Sequence, residues 1–595
     1  MSKKSIYKRL DKLFIIFLII IFFIYRFDGI SYGLPFFVNL DEIEFQQNTL
    51  SSLSLLTGYF EYNYNPLYGS LINLILILKS IFINELLINS LTPDQIKSKI
   101  YFNPELFLFY GRLASLTITS FSIFFLYLIF KKLKINFFIY SVLLVTFATS
   151  LVTLNVSTIM SKNSCNLLIY LIQSYIFIKY LLKIEKFNIK SYYLFGLLAS
   201  IAWGINYWPA FISIYAVFLL HYEKFRFSKI SYLLIFISIF IIFGPFINSF
   251  FVSMGPLDHM TYVDNLEKLE ENRIGFFLKS LISSVSISFK TIYFADKNIL
   301  LLVGVTPIFF LNKDTKYKKE FLIIILLIFA PIFLFALSGA LTPQLRYFAG
   351  IISIILILTA IVFNELYKKN FKYLSIFLLL FFNFYFIYEN IKENNKVNIT
   401  LAKNHSFFDF NKNIEKDRSK ILYLVDLNFQ ESLKQNLFYI ELYENNLIKK
   451  SEKSKKFLKN IKKKVQSIED NENIIIDNST LKDDITYFNY TFFPIDNLKL
   501  FFDYIKKDFQ YVVIEESRSF YLSDRIFQNK IKSYVKKNFL FDHIKFDQKK
   551  IFLRSQQSVI HYYANTLTSY DLAENIDNKK LDVIYGANYS LYKLK

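Results

Sequence analysis

The sequence predicts a polytopic α-helical membrane protein with an α/β domain at its C-terminal end, and three observations carry that prediction. The chain is 54% hydrophobic and 19% aromatic, its mean hydropathy is +0.33, and its apolar residues fall in long blocks instead of alternating, which an ordinary soluble protein does not show. Short lysine clusters separate those blocks, the signature of cytoplasmic loops. Near Asn390 the composition changes, and the residues from there to 595 are rich in Lys, Asn and Asp with only brief apolar stretches.

Taken in order, the chain opens with Lys3, Lys4, Lys8 and Arg9 before an apolar run at 13–25. No small-residue cleavage site follows in Ile24-Tyr25-Arg26-Phe27-Asp28, so this segment reads as a retained anchor with its basic side in the cytoplasm. The next apolar run, 67–83, reads as interfacial. Were it to cross, the helix over 106–130 would run outward and leave Lys131, Lys132 and Lys134 on the wrong side. The spans 137–156, 167–182, 192–205, 208–220 and 230–250 then alternate, each inward one ending at a lysine cluster. After an external loop and a second interfacial stretch at 274–294, spans follow at 299–311, 321–337, 347–363 and 374–388. This gives about eleven spans, N-terminus inside and C-terminus outside.

The plan is therefore a membrane domain over 1–390, with juxtamembrane helices in the first external loop at 28–105, and a soluble extracytoplasmic domain over 391–595. In the latter, strands at 421–425, 474–476, 511–514 and 590–592 interleave with helices such as 454–465, an α/β pattern.

Several classes are excluded. The net charge of +21 would suit nucleic acid, but the lysines follow membrane topology, so no nucleic-acid partner is expected. The single cysteine, Cys165, permits no intramolecular disulfide. No Gly-rich phosphate loop, GxGxxG, HExxH or CxxC occurs, and 14 glycines leave little to cradle a nucleotide. An activated donor, if one is used, arrives in the membrane attached to a lipid.

Asn39-Leu40-Asp41-Glu42-Ile43-Glu44 follows the first apolar run. Carboxylates in a solvated loop need no function. Beside a membrane segment they can also act as general base for a sugar or lipid hydroxyl, or hold a divalent cation.

Asp41-Glu42, then Asn65-Pro66-Leu67-Tyr68, Gly111-Arg112-Leu113-Ala114-Ser115-Leu116 opening a helix and Leu345-Arg346-Tyr347 opening a late one together resemble the GT-C glycosyltransferases. The branch they are most similar to is the protein O-mannosyltransferase and aminoarabinose transferase group, over about residues 13–388; the order, spacing and sidedness of the motifs carry the resemblance, since no single one is specific. It implies a membrane-embedded enzyme that moves a sugar, with inversion, from a polyprenyl-phosphate donor to a lipid, glycan or protein acceptor on the extracytoplasmic face. By that resemblance Asp41 is the general base with Glu42 in support, Arg346 meets the leaving phosphate, and Tyr347 beside it is a substrate-binding residue. Arg112, Asn65 and Tyr68 would line the substrate cavity.

The pattern also departs from the family. Asn65 stands where relatives often carry His or Lys, and Lys162 is the substitute cation this chain offers, against chance placement in a lysine-rich sequence. Some relatives hold a divalent metal, toward which Asp258-His259 would supply ligands, two residues being short of a site. Two other classes stand beside the enzyme: a transporter or flippase for a lipid-linked or anionic substrate, and a non-catalytic assembly scaffold. Neither an internal repeat nor a charge placed mid-helix, the usual marks of a transporter, is visible.

Overall fold

The computed structural model describes chiefly residues 3–30, 67–92, 105–226, 228–251, 296–311, 317–337, 349–368, 371–398, 420–425, 433–450, 485–489, 495–515, 522–545 and 589–594, with isolated residues between these stretches. Helix α1 spans Lys3–Ile30, α2 Leu67–Ile81 with a π-helical continuation Phe82–Ile88, and α3 Glu105–Lys132. Next come α4 (Phe137–Thr149), α5 (Leu151–Thr158), α6 (Lys162–Leu181), α7 (Ile189–Ile205) and α8 (Tyr207–Phe225). Helix α9 (Ile230–Ile241) passes through a π-helical stretch Ile242–Phe246, where Pro245 withholds its N–H, into Ile247–Phe251. The bundle closes with α10 (Asn298–Leu311), α11 (Lys318–Leu337), α12 (Ala349–Tyr367) and α13 (Lys372–Asn398).

Local chemistry sets the helix starts. Asn136, Ser150 and Ser161 each cap the following helix through a side-chain oxygen, and Asn188 and Ser191 form a reciprocal capping box at α7. Helix α12 is apolar on every side and buried along its length, so it is the centre around which the others pack.

The bundle has two chemically distinct ends. At one, Lys134, Lys183, Arg226 and Lys229 take the left-handed conformation that usually falls to glycine. The ion pairs Lys131–Asp11, Lys179–Glu185, Lys319–Glu223 and Lys368–Glu365 gather there too. At the opposite end α1 and α7 stop, while α3, α6, α8, α10 and α12 begin.

The span count corrects the expectation of about eleven. Among the described residues, six helices are long and apolar enough to cross a membrane, or seven if α4 and α5 form one broken span bent by 55°. The run expected over 137–156 breaks because Ser150 is extended and its hydroxyl caps α5. Helix α10, of 14 residues, reaches about 21 Å against a core of about 30 Å, and α7, of 17 residues, is also short.

The stretch Leu67–Ile88 has span-like length and hydropathy, yet both its ends meet the same end of the bundle. The Tyr68 ring packs on Gly204 in the last turn of α7, and its hydroxyl donates to the Phe243 carbonyl at 2.6 Å. Some two dozen ångströms along this helix, Glu85 accepts a hydrogen bond from Tyr110, in the second turn of α3. Between them Ile72, Leu76, Ile77 and Ile81 rest on Leu108, Ala114, Ile118 and Ile169. Its two ends thus meet the last turn of α7 and the start of α3.

Strands β1 (Ile421–Val425), β2 (Ile485–Asn489), β3 (Tyr511–Glu515), β4 (Leu540–Lys545) and β5 (Tyr589–Lys593) form one sheet in the order β2-β1-β3-β5-β4. The β2, β1 and β3 strands are parallel, with helices α14 (Leu433–Glu444) and α15 (Leu498–Ile505) in the connections, and β5 is antiparallel to both neighbours. Leu422, Leu424, Tyr439, Leu442, Phe488, Phe501 and Val512 form its core. Three expected strands are present; 474–476 lies outside the described residues. The compositional boundary at Asn390 falls inside α13, which continues to Asn398.

Candidate functional site

Of the residues singled out from the sequence, Asp41, Glu42, Asn65, Asp258, His259, Arg346 and Tyr347 lie outside the described residues. Arg112, Lys162 and Tyr68 are described, and all three occupy the end of the bundle away from the lysine clusters. Arg112 is fully buried in the second turn of α3 and donates from Nη1 to the Ile30 carbonyl at 3.1 Å, joining the last residue of α1 to the start of α3. Gly111 beside it lies so close to the Met160 side chain that a Cβ would not fit. Two residues after Met160, Lys162 is the buried first residue of α6, on a turn fixed by the Ser161 cap. Two cationic side chains are thus buried at one end of the bundle. Tyr68 is more architectural than expected: its hydroxyl is held by the π-helical stretch of α9.

Three features of this end escaped sequence reasoning. Arg26, one helical turn before Ile30, is fully buried, and its Nη2 donates to the carbonyls of Ala148 and Ser150 at 3.1 and 3.3 Å. Glu85, buried at the π-helical end of α2, accepts from Lys99 at 2.7 Å, Asn89 at 3.1 Å and Tyr110. Asp296 precedes α10 and is 6% exposed; its Oδ1 accepts from the Asn298 backbone and side-chain nitrogens at 2.9 and 2.8 Å. Its Oδ2 has no partner among the described residues. Burial pushes the Asp296 carboxyl up to about 6, against the downward pull of the two bonds from Asn298. A buried carboxyl with one free oxygen is a proton-transfer candidate in its own right.

The only sequence signal for Arg26 was its place at the end of an apolar run, which reads equally as a snorkelling anchor. Asp296 has no sequence motif to mark it, and its neighbour Lys297 turns its ammonium to the Tyr385 ring, 5.5 Å from its centroid. Among the described residues no group of three or more His, Cys, Asp or Glu side chains is placed to hold a metal ion. The chain matches no protein-family profile and no curated protein sequence.

Proposed function

We propose that the protein is a membrane glycosyltransferase that moves a sugar from a polyprenyl-phosphate donor to an acceptor hydroxyl at the lysine-poor end of its bundle. The observation that carries the reading is convergence. Buried Arg112 and Lys162 sit at that end, where α2 meets the start of α3. The chain leaves α1 there for the segment bearing Asp41 and Glu42, and enters α12 there after Arg346 and Tyr347. With lysine clusters marking the cytoplasmic side, the site faces outward, and the sheet that follows α13 lies on the same side.

In this reading Asp41 takes the proton of the attacking hydroxyl, and Arg346 meets the negative charge developing on the departing phosphate. Buried Arg112 and Lys162 add two cationic side chains at the same end. This reading asks for two oppositely charged groups, a base for the acceptor and cations for the leaving group. A transporter would need neither.

The test is single-turnover transfer from a synthetic polyprenyl-phosphate sugar, with donor binding measured on the same variants. Asp41→Asn should keep donor binding and lose about 10²–10⁴ in rate. Arg346→Lys, which keeps charge without the planar fork, should weaken both. Near wild-type transfer by Asp41→Asn would remove the base assignment.

A further inference from the structure

We infer that the turns joining α6 to α7 and α8 to α9 form one cationic surface that binds the headgroups of acidic phospholipids in the leaflet it adjoins. The first turn carries Lys183, Lys186 and Lys190, the second Lys224, Arg226 and Lys229, and all six are exposed. The two turns are clasped together. Lys224 Nζ donates to the Phe187 carbonyl, the Tyr192 hydroxyl lies 2.6 Å from His221 Nδ1, and the Tyr192 and Tyr232 ring centroids are 5.5 Å apart. The carboxylates beside these cations, Glu185 and Glu223, are already paired with Lys179 and Lys319. None of the six cations pairs with a carboxylate among the described residues.

The chain gives up local stability to place cations here. Lys183, Arg226 and Lys229 take the left-handed conformation, which glycine enters freely and a residue with a Cβ does not. At the C-terminal ends of α6 and α8 the helix dipole offsets part of that cost for Lys183 and Arg226. At the starts of α7 and α9 it works against Lys190 and Lys229. Neither first turn holds an acidic residue, and Lys229 stands at the cap of α9 without a side-chain hydrogen bond to it. The positive-inside rule asks only for lysines somewhere in these loops and is indifferent to their backbone conformation. An anion that meets the cations at these positions compensates for both costs.

The apolar side chains among the cations identify the partner as a lipid. Ile184, Ile189, Tyr222 and Ile230 are exposed close in sequence to Lys183, Lys190, Lys224 and Lys229. Such a mixture suits the headgroup boundary, where phosphates and the first acyl carbons lie at one level. Lys229 rests over the Phe225 and Tyr232 rings, 5.0 and 5.5 Å from their centroids, which holds its ammonium at that level. A nucleic acid or an acidic protein segment would leave the apolar side chains unused.

The test uses the purified full-length chain in neutral detergent micelles, with phosphatidylglycerol, phosphatidylcholine and glycerol phosphate as probes. Lipid binding is read by native mass spectrometry, and stability by the thermal midpoint. Phosphatidylglycerol should bind and raise the midpoint more than phosphatidylcholine does, and high salt should remove the difference. Each cation at an acidic surface contributes about a fivefold factor. The triple variant Lys183→Gly, Arg226→Gly, Lys229→Gly should therefore bind phosphatidylglycerol about a hundredfold more weakly. Glycine relieves the left-handed strain, so the same variant should have a higher midpoint than the wild type in lipid-free micelles, which separates lost binding from lost folding. Lys134→Gly, the same change at the α3–α4 turn, should also raise the midpoint but lose no more than a single such factor. Undiminished phosphatidylglycerol binding by the triple variant would overturn the inference, as would a loss as large in Lys134→Gly or equal stabilisation by glycerol phosphate. If the triple variant does not fold, the wild type still decides, because equal binding of the two phospholipids overturns the inference too.

Discussion

Asp296 gives the clearest pH-dependent expectation. Its folded carboxyl holds a proton up to about pH 6, against 3.8 for the ordinary group, so it favours the folded state below about pH 4 and that contribution is lost as the pH rises through 6. Two pK units correspond to about 3 kcal/mol at most. Asp296→Asn keeps an acceptor for the Asn298 nitrogens and removes the buried charge, so it should raise the thermal midpoint at pH 7.5 and leave it unchanged at pH 4. A lower midpoint at pH 7.5 would mean that the Asp296 charge has a cationic partner. Residues of this kind were the least legible in the sequence. Hydropathy placed Arg26 and Asp296 at span ends, where charges ordinarily reach water; what buries Arg26 is the α4–α5 break, a contact 122 residues away. Arg112, taken from motif order, and Lys162, taken from the turn after Met160, lie at the lysine-poor end of the bundle, while the acidic pair and Arg346 lie outside the described residues.

Among the elements, long apolar helices and their lysine ends were readable because both follow from solvent: one medium requires about 20 apolar residues, the other attracts lysine. The break in 137–156 was not readable. Ser150 lies in an apolar run where a serine can equally hydrogen-bond within a continuous helix, and only its extended backbone makes it a cap. For α2 the two sequence signals disagree, the lysines of α3 arguing for an interfacial helix and its own hydropathy for a span. Its seat depends on Gly204, where a Cβ would strike the body of the Tyr68 ring. Gly204→Ala should therefore destabilise the protein by about 1–3 kcal/mol through overpacking. In the Tyr68→Ala background the same change should cost far less, a non-additivity read by thermal unfolding of the four proteins. Additive losses would show that Gly204 and Tyr68 do not share this contact.

For the whole molecule, the two ends of the bundle organise everything else. The lysine end is a set of tight reversals in which Lys and Arg take the left-handed positions, and the other end collects buried arginines, a buried lysine and two buried carboxylates. By the positive-inside rule the lysine end is expected in the cytoplasm. With Cys165 replaced, single cysteines at positions 132 and 316 should resist an impermeant thiol reagent in intact cells, while those at 42 and 258 should react. Labelling at 132 with protection at 42 would invert the protein in the membrane and turn the site to the cytoplasm. The α/β pattern was legible because buried parallel strands such as Ile421–Val425 are continuous apolar runs. The strand order was not, since a crossover leaves no local mark in sequence.

What the protein does turns on whether a sugar crosses from lipid to acceptor at the lysine-poor end. Mass spectrometry of surface glycans and extracted lipids from cells with and without the gene reads this without assuming which sugar is moved. A transferase should leave the mutant's product lighter by one defined sugar, with the polyprenyl-phosphate sugar accumulating, and Asp41→Asn should reproduce that pattern. Glycans and lipids of unchanged mass, or restoration of the product by Asp41→Asn, would contradict the assignment of this end of the bundle as a glycosyl-transfer site.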